Sequence, residues 1–200
     1  MAALAMVAGA ALAALEQAPD STRSQRLGAL RLAAAARVKE EGLPSVANEH
    51  WKYTNVSRLG ERALRSATAG DGASVSAASF AALELSTDSA LRVVLVNGCV
   101  RDDLGAGGSL PQGLRVRSMA ALQEQDPERL ATLLDTDVEA GSTFQALNTA
   151  LLGDGVVIEV DHNVSLREPL HLVMLGTGDD LLRSPRVLVH MGRNSELRLC

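Results

Sequence analysis

Aromatic residues are nearly absent from this 200-residue chain, which has one Trp, one Tyr and two Phe. A core therefore has to be built from Leu, Val and Ala, and functions that stack bases or cage quaternary ammonium groups have little material. Cysteine is equally scarce. Cys99 and Cys200 stand alone, with no CxxC pair and no Cys/His spacing suited to zinc, which fits a reduced, cytoplasmic protein. Basic residues neither outnumber the acids nor cluster, and a formal charge of −5 with a pI near 5.4 excludes the electrostatic footprint of a nucleic-acid binder. A long hydrophobic run is missing too. Residues 1–15 are uncharged and Ala-rich, yet they fall short of the roughly 20 apolar residues that cross a bilayer and lack a basic leader, so residues 1–16 read as a first helix. The length allows one domain or two small ones.

What is present changes character once, in residues 144–160. Phe144, Leu147 and Leu151 recur at i, i+3 and i+7 as one face of a short helix, with Ser142 and Gln145 spaced as a capping box. Asp154-Gly155 then turns the chain into Val156–Val160, a β-branched run that reads as a buried strand. Before this point the periodicity is mostly helical, and after it mostly that of strands. The organisation expected is a mostly helical region with a short hairpin over residues 1–152, then a strand-rich region over residues 153–200.

In the first region a second helix is predicted to run to about Glu41, with Asp20, Ser21 or Thr22 as its N-cap and Gly42 then Pro44 as its stop. Leu27, Leu30, Ala34 and Val38 share its apolar face, and its arginines form a solvated surface. Trp51 and Tyr53, two residues apart, are expected to anchor residues 42–56 on a core, each with a polar tip able to find a partner. Residues 66–79 are small and polar and read as a flexible link or surface excursion. Leu91–Val96 followed by Asn97-Gly98 predicts a hairpin returning through Cys99-Val100. A strand at Leu114–Arg117, a helix capped by Ser118 and a further helix opened by Asp126-Pro127-Glu128, with Leu130, Leu133 and Leu134 as its stripe, complete it.

Beyond residue 153, Val156–Val160, Val164–Leu166, Leu170–Leu175, Val187–Met191 and Glu196–Cys200 are predicted strands separated by polar turns. None of the gaps holds a crossover helix, which excludes a doubly wound nucleotide-binding sheet and leaves a sandwich, a barrel or a solenoid. Alternation in the last strand exposes Glu196 and Arg198 and buries Leu197 and Leu199. The chain stops there without turn, cap or polar tail, as a fragment of a longer protein would.

Chemistry-bearing residues are few and scattered. Glu49, His50 and Lys52 could form an acid–base group only if neighbours on one segment converged. Gly105-Ala-Gly-Gly108 lacks the Lys-Ser/Thr of a phosphate loop, and Asp135, Asp137 and Glu139 lack the glycine and distal Glu of a calcium loop. His162 falls in a turn and His171 and His190 within strands, so neither they nor Cys99 and Cys200 reach ligand spacing. No catalytic or metal-binding residue is assigned. An enzyme on a solenoid would show hexapeptide repeats or paired carboxylates on successive rungs, and neither is visible; an oligomerisation module using an open edge is the other alternative, with a homodimer as its product.

Two stretches carry a family resemblance. Residues 42–54, Gly-Leu-Pro-Ser-Val-Ala-Asn-Glu-His-Trp-Lys-Tyr-Thr, resemble the Gly-[Leu/Phe]-Pro-x-x-x-x-Glu-x-Trp-Lys-Tyr-Thr signature of the SufB/SufD family of iron–sulfur cluster assembly proteins, in its SufD branch. Phe144-x-x-Leu-Asn-Thr-Ala-Leu-x-x-Asp-Gly155, followed by Val-x-Ile-x-Val and by Glu168-Pro169-Leu170-His171-Leu172, is similar to the entry into that family's core. The matching residues include Glu49, Trp51, Lys52, Tyr53, Phe144, Leu147, Asn148, Asp154 and Gly155. The resemblance implies a mixed α and β chain, an N-terminal helical region followed by the first rungs of a right-handed parallel β-helix. It also implies a non-enzymatic scaffold of the SUF system, working with SufB-like and SufC-like subunits, the latter an ATPase. The iron–sulfur cluster, and a flavin associated with the complex, then belong to the assembly, with no cofactor assignable to a residue here.

Overall fold

The computed structural model describes residues 24–60, 64–83, 91–105, 108–135 and 142–200. The helix expected over residues 1–16 and the acidic residues Asp137 and Glu139 lie outside them. No helix among the described residues is long and apolar enough to cross a membrane. The chain divides into two compact units, each assembled from separated stretches: one from residues 1–66, 122–152 and 180–182, the other from residues 67–121, 153–179 and 183–200.

The first unit is built around helix α1 (Gln25–Glu41). Its N-cap is Ser24, whose hydroxyl accepts from the Leu27 amide at 3.1 Å, so the helix starts two residues beyond the latest cap read from sequence. Ser24 is buried, and the hydroxyl satisfies an amide that would otherwise be orphaned at the helix start. Gly42 ends the helix at φ 66°, a conformation that favours glycine. Leu27, Ala34, Ala35 and Val38 form the buried face, whereas Leu30 is only half-buried. Against it pack α4 (Pro127–Asp135) and α5 (Thr143–Ala150). Ala34, Ala35 and Val38 meet Ala146, Leu147 and Ala150, a small-residue interface that lets the two helices approach closely. The capping box of α5 is present, with Ser142 accepting from the Gln145 amide and Gln145 Oε1 accepting from the Ser142 amide. Two short strands unforeseen in the sequence, β1 (Arg65–Ser66) and β7 (Leu181–Leu182), pair in parallel in this unit.

The second unit holds two three-stranded sheets. One has the order β3-β2-β6, from β3 (Cys99–Val100), β2 (Leu91–Val96) and β6 (Leu170–Leu175); the other β4-β5-β8, from β4 (Leu114–Ser118), β5 (Val156–Val160) and β8 (Val187–Met191). The expected hairpin joins β2 to β3, with Asn97 at φ 53° and Gly98 at φ 93° as its turn, while β6 adds to β2 in parallel. β5 runs antiparallel to β4 and parallel to β8. Alternate residues Leu91, Val93 and Leu95, and Val156, Ile158 and Val160, face one core together with Leu114, Leu166 and Leu170. Helix α3 (Met119–Gln125) follows β4 with Met119 fully buried.

Residues 156–167 and 187–198 stack on each other. Val156 pairs with Val187, Val160 with Met191 and Ser165 with Glu196, a constant offset of 31 residues, and Leu170 then pairs with Leu199. The corners repeat as well: Asn163 and Asn194 both adopt the left-handed conformation, at φ 60° and 58°, and the side-chain Nδ2 of Asn194 donates to Asn163 Oδ1 at 3.1 Å. Glu196–Cys200 is accordingly held by isolated bridges and not by a continuous strand, and Leu199 is exposed where alternation predicted burial.

The stretch 66–79 is an ordered surface excursion, as one of its two readings had it, and not a flexible link. Thr68 and Asp71 close a short 3₁₀ turn over Ala69–Gly72, the Thr68 amide donating to Asp71 Oδ2 at 2.8 Å, and α2 (Ala77–Ala81) follows behind its cap Ser76. Val75 and Phe80 pack on Val94, Val96, Leu104 and Val173, covering the outer face of β2 and β6. Arg101 fastens the stretch by donating to the carbonyls of Gly72 at 2.7 Å and Val75 at 3.1 Å. Small-residue composition concealed this order, because two apolar anchors and one guanidinium supply it.

Candidate functional site

The signature residues fall into two groups. In the first unit, Glu49, His50 and Trp51 form a single 3₁₀ turn, and the Trp51 ring lies on Phe144 with centroids 5.2 Å apart and planes inclined by 43°. The two signature stretches, 93 residues apart in sequence, therefore meet through their aromatic residues. Leu147, one turn further along α5, is buried against α1, and Asn148 is half-buried. Glu41 joins the same helices at their ends, accepting from Arg37 Nε at 2.6 Å and from Thr143 Oγ1 at 2.8 Å, and these two bonds hold its carboxyl below the usual range. Arg31 donates to the Ala150 carbonyl at 3.4 Å, covering the C-terminal end of α5.

Tyr53 departs from expectation. Trp51 anchors its segment, but Tyr53 is 92% exposed and anchors nothing. The cause is local: the Trp51 carbonyl accepts from the Thr54 amide at 2.9 Å, and the tight turn this makes carries Tyr53 outward. Lys52 places its ammonium 5.5 Å from the centre of the Tyr53 ring. Glu49, His50 and Lys52 are all exposed.

In the second unit, Asp154 and Gly155 form a junction. The Asp154 carboxylate accepts from the Val100 amide at 2.9 Å, from Ser118 Oγ at 2.9 Å and from the Ala120 amide at 3.0 Å. One side chain thereby ties the β2–β3 hairpin, the end of β4 and the start of α3 to the entry of β5. Gly155 sits at φ 156°, and a Cβ there would fall on the Arg186 carbonyl, which accepts from the Val156 amide at 2.9 Å. The Gly155 carbonyl in turn accepts from the Met119 amide at 2.9 Å.

Two polar networks had no clear signal in the sequence. Asn97, 3% exposed, donates to Thr177 Oγ1 at 3.0 Å and accepts from the Thr177 amide at 2.8 Å and Arg183 Nε at 2.9 Å. Its only sequence mark is the first place of an Asn-Gly turn. Glu159, buried in β5, pairs with Arg117 at 2.5 Å, while Arg115 grips Asp161 through both terminal nitrogens, at 2.8 and 3.0 Å. A Glu inside the run Val-Val-Ile-Glu-Val, across from two arginines of a Leu-Arg-Val-Arg strand, was the available clue.

The imidazoles and thiols do not converge. His162 accepts from the Arg193 amide at 2.6 Å as part of the corner between stacked segments, and His190 is exposed on β8. His171 is half-buried in β6, with its Nδ1 lacking a hydrogen-bond partner, and so departs from the rule that buried polar groups are paired. Burial, then the nearby carboxylates of Asp154 and Asp71, push the Cys99 thiol up, favouring the less nucleophilic protonated form. Cys200 is exposed. No group of three or more His, Cys, Asp or Glu capable of holding a metal ion occurs among the described residues. What the side chains do supply is cross-bracing between distant stretches and one exposed aromatic turn.

The comparison with known families agrees with the two signature stretches. Residues 13–172 match the model of the SufBD protein N-terminal region. An iron–sulfur cluster assembly SufBD family protein of Synechocystis sp. (strain ATCC 27184 / PCC 6803 / Kazusa) is 28% identical over 178 residues, which cover 88% of this chain and 38% of the relative. The chain thus spans about two fifths of the length of that curated relative. Since the family model covers most of the sequence, including both signature stretches, the chain belongs to the SufBD family.

Proposed function

We propose that this chain serves a cytoplasmic, SufD-like scaffold subunit of the SUF system, which joins a SufB-like subunit and a SufC-like ATPase to build nascent iron–sulfur clusters. The match over residues 13–172 to the SufBD N-terminal region carries this reading. The Trp-Lys-Tyr-Thr run at residues 51–54 favours the SufD branch. The cluster is cargo of the assembly, and neither it nor a flavin is assigned a residue of this chain. In the same reading, residues 153–200 begin a right-handed parallel β-helix, supported by the 31-residue offset at which β5 and β8 pair in parallel and by the Asn163–Asn194 corner.

The role is non-enzymatic. Its support is the division of labour among the side chains: Asp154, Asn97, Arg101 and Arg183 are engaged in bracing backbone, and the Cys99 thiol is biased toward its protonated form. The test is co-purification of the tagged protein with SufB-like and SufC-like subunits of the same source, followed by size-exclusion chromatography with light scattering. A stable ternary complex is expected. A chain that elutes alone in their presence, or as a homodimer that excludes them, contradicts the reading.

A further inference from the structure

We infer that residues 44–59 form a protein-docking epitope led by Tyr53 and Lys52, and that its occupant is a protein surface with an apolar pocket rimmed by carboxylates. This inference rests on the assembly-scaffold reading and specifies one contact within it.

The observations begin with the distribution of aromatic residues. Four aromatic side chains serve 200 residues, so each one left in water forgoes a sizeable share of the available apolar burial. Phe80 is buried, and Trp51 and Phe144 pack against each other with tilted rings. Tyr53 alone is withheld from packing, at 92% exposure, although it lies two residues from Trp51. Val46, at 53%, is a second exposed apolar residue of the same segment.

The segment is nonetheless ordered by its own bonds. The Ser45 amide donates to Asn48 Oδ1 at 2.8 Å, the Trp51 amide to the Asn48 carbonyl at 2.8 Å, and the Thr54 amide to the Trp51 carbonyl at 2.9 Å. Trp51 then pins these turns to α5 through Phe144. A preformed turn with an outward aromatic loses little conformational entropy on binding, and Tyr is among the residues that dominate interface energetics. Its ring and hydroxyl suit a pocket that is apolar within and polar at the rim.

Charge selects the partner. The segment carries Lys52 and Arg58 against Glu49, a net positive stretch on a chain of formal charge −5. Lys52 stands 5.5 Å from the Tyr53 ring centre, so a pocket that admits the ring brings its rim to the ammonium, where carboxylates gain a pair.

The experiment compares wild type, Tyr53→Ala, Tyr53→Phe and Lys52→Glu in the ternary assembly, with affinities measured at two salt concentrations and melting temperatures measured on each free chain. Tyr53→Ala is expected to melt with wild type, because the side chain makes no burial in the free chain, yet to bind at least about tenfold more weakly, while Tyr53→Phe retains most of the affinity. Lys52→Glu is expected to weaken binding and to abolish the part of the salt dependence that Lys52 supplies. Wild type that assembles, with Tyr53→Ala assembling equally well, overturns the epitope and leaves the scaffold reading standing. Wild type that joins neither subunit removes both.

Discussion

The indole of Trp51 rests on the phenyl ring of Phe144, 5.2 Å between centroids, and this contact is a hydrophobic tie between residues 44–59 and the paired helices α1 and α5. Tilted aromatic pairs contribute about 0.5–1.5 kcal/mol beyond their buried area. A double-mutant cycle with Trp51→Leu and Phe144→Leu, followed by chemical denaturation, is expected to return a coupling energy within that range. Strictly additive losses would show that the rings pack side by side without a specific interaction.

Gly155→Val is expected to be among the most damaging single substitutions in the strand-bearing unit. A β-branched residue at φ 156° carries backbone strain, and its Cβ meets the Arg186 carbonyl that accepts from Val156. Each effect costs about 1–3 kcal/mol, so a loss of about 2–6 kcal/mol is expected in urea unfolding. Asp154→Ala, which strands the amides of Val100 and Ala120 and the Ser118 hydroxyl, is expected to cost about 2–3 kcal/mol by the same assay.

Acid sensitivity has a definite sign at Asp161. Hydrogen bonds from Arg115 hold its carboxyl below the usual range, so the pair contributes stability above the ordinary carboxylate value of about 3.9, and the contribution disappears as pH falls through the lower value of the folded state. In Arg115→Ala, an NMR titration of the Asp161 side chain is expected to move up toward the ordinary value. The variant's stability deficit is then expected to shrink below pH 4, where wild type loses the same interaction. An unmoved titration would assign the depression to another group.

Thiol labelling separates the two cysteines. Cys99 is half-buried with its thiol pushed up by burial and by Asp154 and Asp71, whereas Cys200 is exposed. At pH 7.5 an aromatic disulfide reagent is expected to modify Cys200 first and Cys99 severalfold more slowly. Asp154→Asn is expected to speed the slow phase by removing one of the carboxylates that disfavour the thiolate. Equal rates at both positions would contradict the burial of Cys99.

Much of the fold was legible because local chemistry and tertiary packing agreed. The capping box at Ser142–Gln145, the Asn97-Gly98 turn and the strands 156–160 and 187–191 have strong local signals, and the structure places them where those signals point. Reading failed where a few long-range contacts decide the outcome. Residues 66–79 look pliant until Arg101 and Phe80 are placed upon them. Tyr53 reads as an anchor because its neighbour is one, and only the turn at Thr54 sends it outward. Asn97 and Glu159 carry only faint sequence marks as network centres, since their partners lie 80 and 42 residues away.

The fixed stagger between residues 156–167 and 187–198 also determines where this chain can change length. A single residue inserted between Val156 and Val157 would rotate Ile158 and Val160 out of the core and part Asn163 from Asn194, since side chains alternate faces at every step. The stagger shortens from 31 residues at Ser165–Glu196 to 29 at Leu170–Leu199, so the corner around Arg167–Pro169 already absorbs two residues without breaking either pairing. Insertions and deletions among relatives are therefore expected to gather at that corner and in residues 176–180, where Gly178 and Asp180 already occupy left-handed conformations, and to spare the stretches between.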